Sequence, residues 1–187
     1  MYSAPGDAAV VRVVVGAPRL EVATAAVGAL SAVAPLSLAD VAGAFPAAAA
    51  PGMHGVGCYG WHGFGPGLVV HLYGARTRPT PQSRAEEWLA GVVGAVVVVA
   101  PDEIEAGRAT LAALEEQGWP YVVAVSTPDP GPGVRARLAA ALPAPGSVPV
   151  LGCVPAQTAS MQRVVCALIT RALTPTPTDD DEDEEEL

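Results

Sequence analysis

Apolar and polar positions fall along this chain in blocks that switch between the strand and the helix period. Val10–Val15 is a β-branched run broken only by Arg12 and closed by Gly16, which predicts a buried strand running into a turn. Pro18 opens and Pro35 closes an Ala-rich stretch, Leu20–Val33, the placements of proline expected around a helix. Ser37–Ala50 reads as an Ala-rich connection with a short helix around Ala39–Ala44. Gly52–Gly67 (GMHGVGCYGWHGFGPG) holds too many glycines for a helix, and the shared parity of Tyr59, Trp61 and Gly63 is compatible with a strand hairpin. Leu68–Tyr73 predicts a strand, Gly74–Pro81 a loop, and Ser83 a cap for a helix through Glu86, Glu87 and Leu89 to about Gly91.

The second half is more regular. Gly94–Ala100 (GAVVVVA) is the clearest strand, and Glu103–Gln117 follows as a helix with acids in its first turn and Gly118 at its end. Trp119–Val125 predicts a buried strand, Ser126–Gly133 (STPDPGPG) a loop, Val134–Ala141 a short helix and Val148–Cys153 a last strand. In the final helix, Ala156–Leu173, the residues Met161, Val164, Val165, Leu168 and Ile169 share one face. Continuous apolar strands alternating with amphipathic helices predict a three-layer α/β domain. Its sheet of five or six strands is mainly parallel, with helices on both faces and right-handed crossovers. The domain is expected to span residues 1–173, and residues 174–187 to leave it as a Pro/Thr spacer and a disordered acidic tail.

Charge changes this picture in one place. The net charge is −9, but eight acids form the single block Asp179–Glu186, so residues 1–178 carry about −1. A nearly neutral body argues against a basic nucleic-acid footprint. All ten bases are arginine, and lysine and asparagine are both absent. Chemistry that needs a lysine is thereby excluded, including Schiff bases and a phosphate-gripping loop lysine. The bias toward Ala, Gly, Pro, Val and Arg suggests a GC-rich genome. Three widely spaced cysteines without a CxxC pair fit neither a disulfide framework nor a zinc ribbon, and point to a reducing cytoplasm. Met1–Val10 lacks the pattern of a signal peptide, and the charge-free stretch Val41–Ala75 has too many glycines and prolines for a spanning helix.

Candidate chemistry is sparse. His54, Cys58 and His62 are spaced by four residues, the spacing of ligands on one helix face, but intervening glycines argue against a helix. On a strand they would span about 26 Å. Loop histidines with a small buried cysteine are the simpler reading, and an enzyme using Cys58 with a nearby histidine is an alternative. Tyr59, Trp61 and Phe64 are either core or a partner-binding patch, since aromatics are enriched at interface centres. Arg76 and Arg78 either meet an acidic partner or face solvent.

Four stretches carry a family resemblance. LVVHLYGARTRPTPQSR (68–84) stands where the family has its third strand and a Gly-Thr-Pro-Gly-Gln switch loop. LAGVVGAVVVVAPD (89–102) is similar to a helix end and the following strand. GWPYVVAVSTPD (118–129) is similar to the strand entering an Asn-x-x-Asp base-recognition loop, and VPVLGCVPAQTASMQRVVCALITRAL (148–173) to the final strand and helix. The chain resembles the small Ras-like GTPases of actinobacterial conservon operons, relatives of the bacterial gliding-motility GTPases. The resemblance covers residues 68–173; residues 10–35 match only as strand, turn and helix.

The phosphate chemistry departs from that family. A P-loop needs Gly-x-x-x-x-Gly-Lys-Ser/Thr, so that backbone N–H groups and a lysine hold phosphates while a hydroxyl binds magnesium. Counted from Gly16, the second glycine is Glu21, the lysine Val22 and the hydroxyl Ala23, with Thr24 one place off register. The switch loop lacks the Gly-Gln pair; Pro79, Thr80, Pro81 and Gln82 stand nearby. In the base loop Ser126 replaces asparagine, while Asp129 keeps the aspartate position or is simply a turn residue. The resemblance therefore implies a P-loop NTPase topology without a functional P-loop: a pseudo-GTPase with weak or no GTP/GDP binding. It would act as a protein-binding scaffold whose partner is a roadblock-type dimer or an active GTPase of the same system. An atypical guanine-nucleotide switch using Asp129 is the alternative.

Overall fold

The computed structural model describes residues 8–37, 56–76, 91–116, 118–142 and 148–174. Among them the chain runs β1 (Ala9–Ala17), α1 (Leu20–Leu30), β2 (Leu36–Ser37), β3 (Val56–Gly63), β4 (Leu68–Arg76) and β5 (Val92–Val99). It continues as α2 (Ile104–Glu116), β6 (Tyr121–Val125), α3 (Pro132–Ala141), β7 (Val150–Gly152) and α4 (Thr158–Leu173). The described strands form one sheet in the order β2-β3-β4-β1-β5-β6-β7. β4, β1, β5, β6 and β7 are parallel neighbours, and β3 runs antiparallel to both β2 and β4. The mainly parallel sheet covered on both faces is as the periodicity predicts.

The β-branched runs become the central strands because both of their faces are buried. Val13, Val15, Val96, Val98 and Val122 face α1 and α4, packing with Val27, Leu30, Met161, Val164, Val165 and Leu168. Val97, Val99, Tyr121, Val123 and Val125 face α2 and α3, packing with Ile104, Leu111 and Leu138. Full burial of a Val or Leu side chain stabilises by about 1.5–3 kcal/mol, so these two cores hold the domain together.

Several element ends differ from the sequence reading. α1 stops at Leu30 instead of Val33, and Ala32 instead donates its N–H to the Trp61 carbonyl (2.8 Å), tying the chain to β3. The described part of the Gly-rich segment is one strand and a turn, and it forms a hairpin with the following strand: β3 and β4 pair with Trp61 opposite His71 and Tyr59 opposite Tyr73. Leu36–Ser37 is a two-residue edge strand on β3, where the sequence reading begins the connection at Ser37. The helices expected around Ala39–Ala44 and after Ser83 lie outside the described residues.

The glycines of this hairpin have a packing reason. A Cβ at Gly60 would lie 2.7 Å from the Ser31 hydroxyl, and one at Gly74 would strike the Cys58 sulfur and approach Val27 to 3.3 Å. α1 lies this close to β3 and β4 only because side chains are missing there.

Candidate functional site

The parallel strands all end on one edge, and the chain's progress through the sheet reverses at β1, the place where open α/β sheets bind ligands. Among the described residues, the links after β1, β5, β6 and β7 line this edge, together with the Arg76 end of β4. The link after β1 is short. Gly16 is a buried strand residue, paired with Ala75 of β4 and Val97 of β5. β1 continues to Ala17 and α1 begins at Leu20, so only Pro18 and Arg19 lie between them. Arg19 is the N-cap residue without a side-chain cap, and its carbonyl accepts the Val22 N–H at 3.1 Å. Glu21 is exposed in the first turn, where the helix dipole favours an acid. Val22 packs against the core below, and Ala23 is fully buried.

Two arginines fasten this turn. Arg19 Nε meets Glu103 Oε1 at 2.9 Å, joining it to the entry of α2. Arg76, the last residue of β4, donates from Nε to the Pro18 carbonyl at 3.1 Å. Arg19 is 54% exposed, so the ion pair contributes about 0–1 kcal/mol. Arg78 lies outside the described residues.

The remaining links are fastened in the same manner. Arg137 donates to the Pro101 carbonyl (2.7 Å) and Arg135 to the Pro130 carbonyl (2.9 Å). Ser126 donates its backbone N–H to the Val99 carbonyl (2.8 Å). The loop behind it closes over β7, where a Cβ at Gly152 would lie 2.7 Å from the Thr127 carbonyl oxygen and from Pro130 Cδ. Asp129 is exposed on this loop.

The aromatic candidates divide. Tyr59 and Trp61 are half-buried on the sheet face opposite α1, while Phe64 packs on the α1–α4 core and stacks edge-on against His62 at 4.8 Å. Three residues that sequence reasoning missed join Tyr59 and Trp61. Strand register places His71, Tyr73 and Arg12 on the same face. The Tyr59 hydroxyl stands 3.4 Å from His71 Nδ1, and the Tyr59 and Tyr73 rings are 5.4 Å apart. Burial, and then the Arg12 guanidinium, push the His71 pKa below its usual 6.5. Burial likewise raises the Tyr59 phenol, with Tyr73 adding to it. The available signal was the parity of β4, legible once its partner strand is known.

Cys58 is 2% exposed beneath α1. His62 follows it by four residues on the same strand, about 13 Å away. Its Nε2 lies 3.1 Å from the Gln162 amide nitrogen on α4, and its buried Nδ1 has no hydrogen-bond partner among the described residues. His54 lies outside the described residues. Among the described residues no three His, Cys, Asp or Glu gather as metal ligands. No described helix is long and apolar enough to cross a membrane.

No protein-family model and no curated protein sequence matches this chain. Solved structures do. The FeoB G-domain from Methanococcus jannaschii superposes with a TM-score of 0.53 at 13% identity, over 87% of this chain and 98% of its own. The G domain of the T. maritima FeoB iron transporter gives 0.53 at 17%, over 88% and 99%. Aquifex aeolicus Era, described as bound to GDP·AlF4⁻, gives 0.57 at 12%, over 89% of this chain and 58% of its own. The chain therefore has the α/β fold of GTPase G-domains.

Proposed function

We propose that the chain uses a GTPase fold to bind proteins and does not hydrolyse GTP: a pseudo-GTPase serving as regulator or scaffold. The two-residue turn between β1 and α1 carries this reading. A P-loop needs four residues between its glycines for its amides to curl around phosphate oxygens. Here a strand residue, a proline, an arginine and a helical leucine fill that stretch. Val22 and Ala23, at the lysine and hydroxyl positions, face the core, and Arg19 is engaged with Glu103. Each charge-assisted phosphate contact contributes roughly 1.5–3 kcal/mol, so losing two or three weakens a triphosphate by several orders of magnitude.

Tyr59, Trp61 and the Arg76 end of β4 are the partner-binding surface in this reading, with Arg78 beyond the described residues. The sequence resemblance points to a bacterial Ras-like, conservon-type system with a roadblock-type dimer or an active GTPase as partner, and to a cytoplasmic protein. A second reading, an atypical guanine-nucleotide switch, is favoured by the exposed Asp129 and by the nucleotides named with the Era structures, GDP·AlF4⁻ and MgGDPNP.

Calorimetric titration of nucleotide-stripped protein with GTP and GDP plus magnesium separates the two. The expected result is no saturation at about 1 mM nucleotide, where a ligand of millimolar Kd half-saturates. Micromolar binding overturns the pseudo-GTPase and establishes the switch.

A further inference from the structure

Charge is segregated along the chain in a way the nucleotide edge does not use. Residues 1–117 carry a net −4, residues 118–174 a net +3 and residues 175–187 a net −8. The middle segment holds Arg135, Arg137, Arg163 and Arg171 against the single acid Asp129, and neither α3 nor α4 contains an acid. This basic stretch directly precedes the most acidic part of the molecule.

The structure turns that sequence order into a surface. α3 and α4 lie on opposite faces of the sheet, at the flank where β7 ends it. α4 exposes Arg163, Cys166, Thr170 and Leu173 at spacings of three and four residues, one continuous stripe. Leu173 is 77% exposed, and the remaining chain departs from there. Arg163 makes no ion pair with a described residue. Arg135 and Arg137 each give one N–H to a proline carbonyl, and a guanidinium has five.

Reach is sufficient. Arg163 stands ten residues back along α4 from Leu173, about 15 Å at the helical rise. Asp179 is six residues beyond Leu173 and Glu186 thirteen. An extended chain covers up to about 3.5 Å per residue, so the acidic block is long enough to span the whole stripe on α4. A short tether holds it at an effective concentration on the order of millimolar, which favours its own domain over a second copy.

We propose that the acidic segment Asp179–Glu186 folds back onto the α3–α4 flank of its own domain, anchored on Arg163 with Arg135 and Arg137 as further partners. Arg135 and Arg137 hold the links at the C-terminal edge of the sheet, and Arg163 stands on α4, so the contact does not depend on nucleotide binding.

Cys166 supplies the probe, because it is exposed on the same stripe while Cys58 and Cys153 are buried. A nitroxide on Cys166 of the ¹⁵N-labelled full chain is expected to attenuate the amide signals of residues 179–186 at low ionic strength. The attenuation falls to that of a freely tethered chain at about 1 M salt, where the screening length is about 3 Å. The variant Arg135→Gln/Arg137→Gln/Arg163→Gln is expected to lose the attenuation at low salt as well. Attenuation no greater at low salt than at about 1 M salt overturns the proposal, as does a low-salt attenuation that the triple variant leaves unchanged. So does attenuation seen between spin-labelled ¹⁴N and unlabelled ¹⁵N copies in a mixture, which assigns the contact to a second molecule.

Discussion

The imidazole of His71 sits on the sheet face that carries Tyr59, Tyr73 and Arg12, and its proton affinity reports that neighbourhood. Burial and then the Arg12 charge disfavour its cation, so it titrates below 6.5 in the folded chain. The unfolded chain binds the proton at a higher pH than the folded one. This group's share of stability is therefore present above pH 6.5 and is lost as the pH falls through the folded midpoint. An NMR titration is expected to place the His71 midpoint below 6.5 and to move it upward in Arg12→Ala; an unmoved midpoint would remove Arg12 as a cause. The cysteines divide by the same rule. Burial pushes the Cys153 thiol up to about 11, Cys58 lies under α1, and Cys166 is exposed. A thiol reagent at neutral pH should modify one cysteine, Cys166, rapidly, and the other two only on unfolding. Fast, selective modification of Cys58 would revive the enzyme that pairs it with a histidine.

At the scale of elements, the valine runs were readable from sequence because a strand buried on both faces tolerates almost nothing else, as Val96–Val99 and Tyr121–Val125 show. The glycines of β3 and β4 were readable only as helix breakers. Their positive role depends on which helix lies above them, and only the register of β3 against β4 and the seating of α1 fix that. The departures of residues 16–23 from the phosphate-loop pattern were likewise countable in sequence, but the shortness of the turn was not. Gly16 looks like a loop glycine until its pairing with Ala75 and Val97 places it in the sheet. The seating of α1 is testable. Gly74→Ala drives a methyl into the Cys58 sulfur and toward Val27, and overpacking of this kind costs about 1–3 kcal/mol. Gly74→Ala/Cys58→Ala removes the obstructing sulfur and is expected to regain part of that loss in denaturant unfolding. A double variant no more stable than the single one would mean that α1, not Cys58, sets the limit at this position.

For the whole molecule the decisive quantity is the distribution of charge, since the sheet and its helices alone are close to neutral. The full sequence has a calculated isoelectric point near 4.6 and a net charge of −9, of which residues 1–178 carry about −1. Near-zero net charge removes the repulsion that keeps protein molecules apart, and added acids improve solubility more than added bases. The body also exposes Val10, Val33, Leu36 and Leu173, apolar contacts that self-association would use once repulsion is gone. A chain ending at Thr178 is therefore expected to have the same unfolding free energy as the full chain to within about 0.5 kcal/mol, because surface changes of this kind contribute little to stability. Its solubility at neutral pH should nonetheless fall well below that of the full chain, and recover above the pH where the remaining groups give it a net charge. If the shortened chain instead stays as soluble as the full one near pH 7, the tail has no colloidal role, and its interaction with the arginine flank is left as its physical purpose. If the shortened chain unfolds markedly earlier, the tail is part of the folded domain, and the boundary expected at residue 173 is wrong.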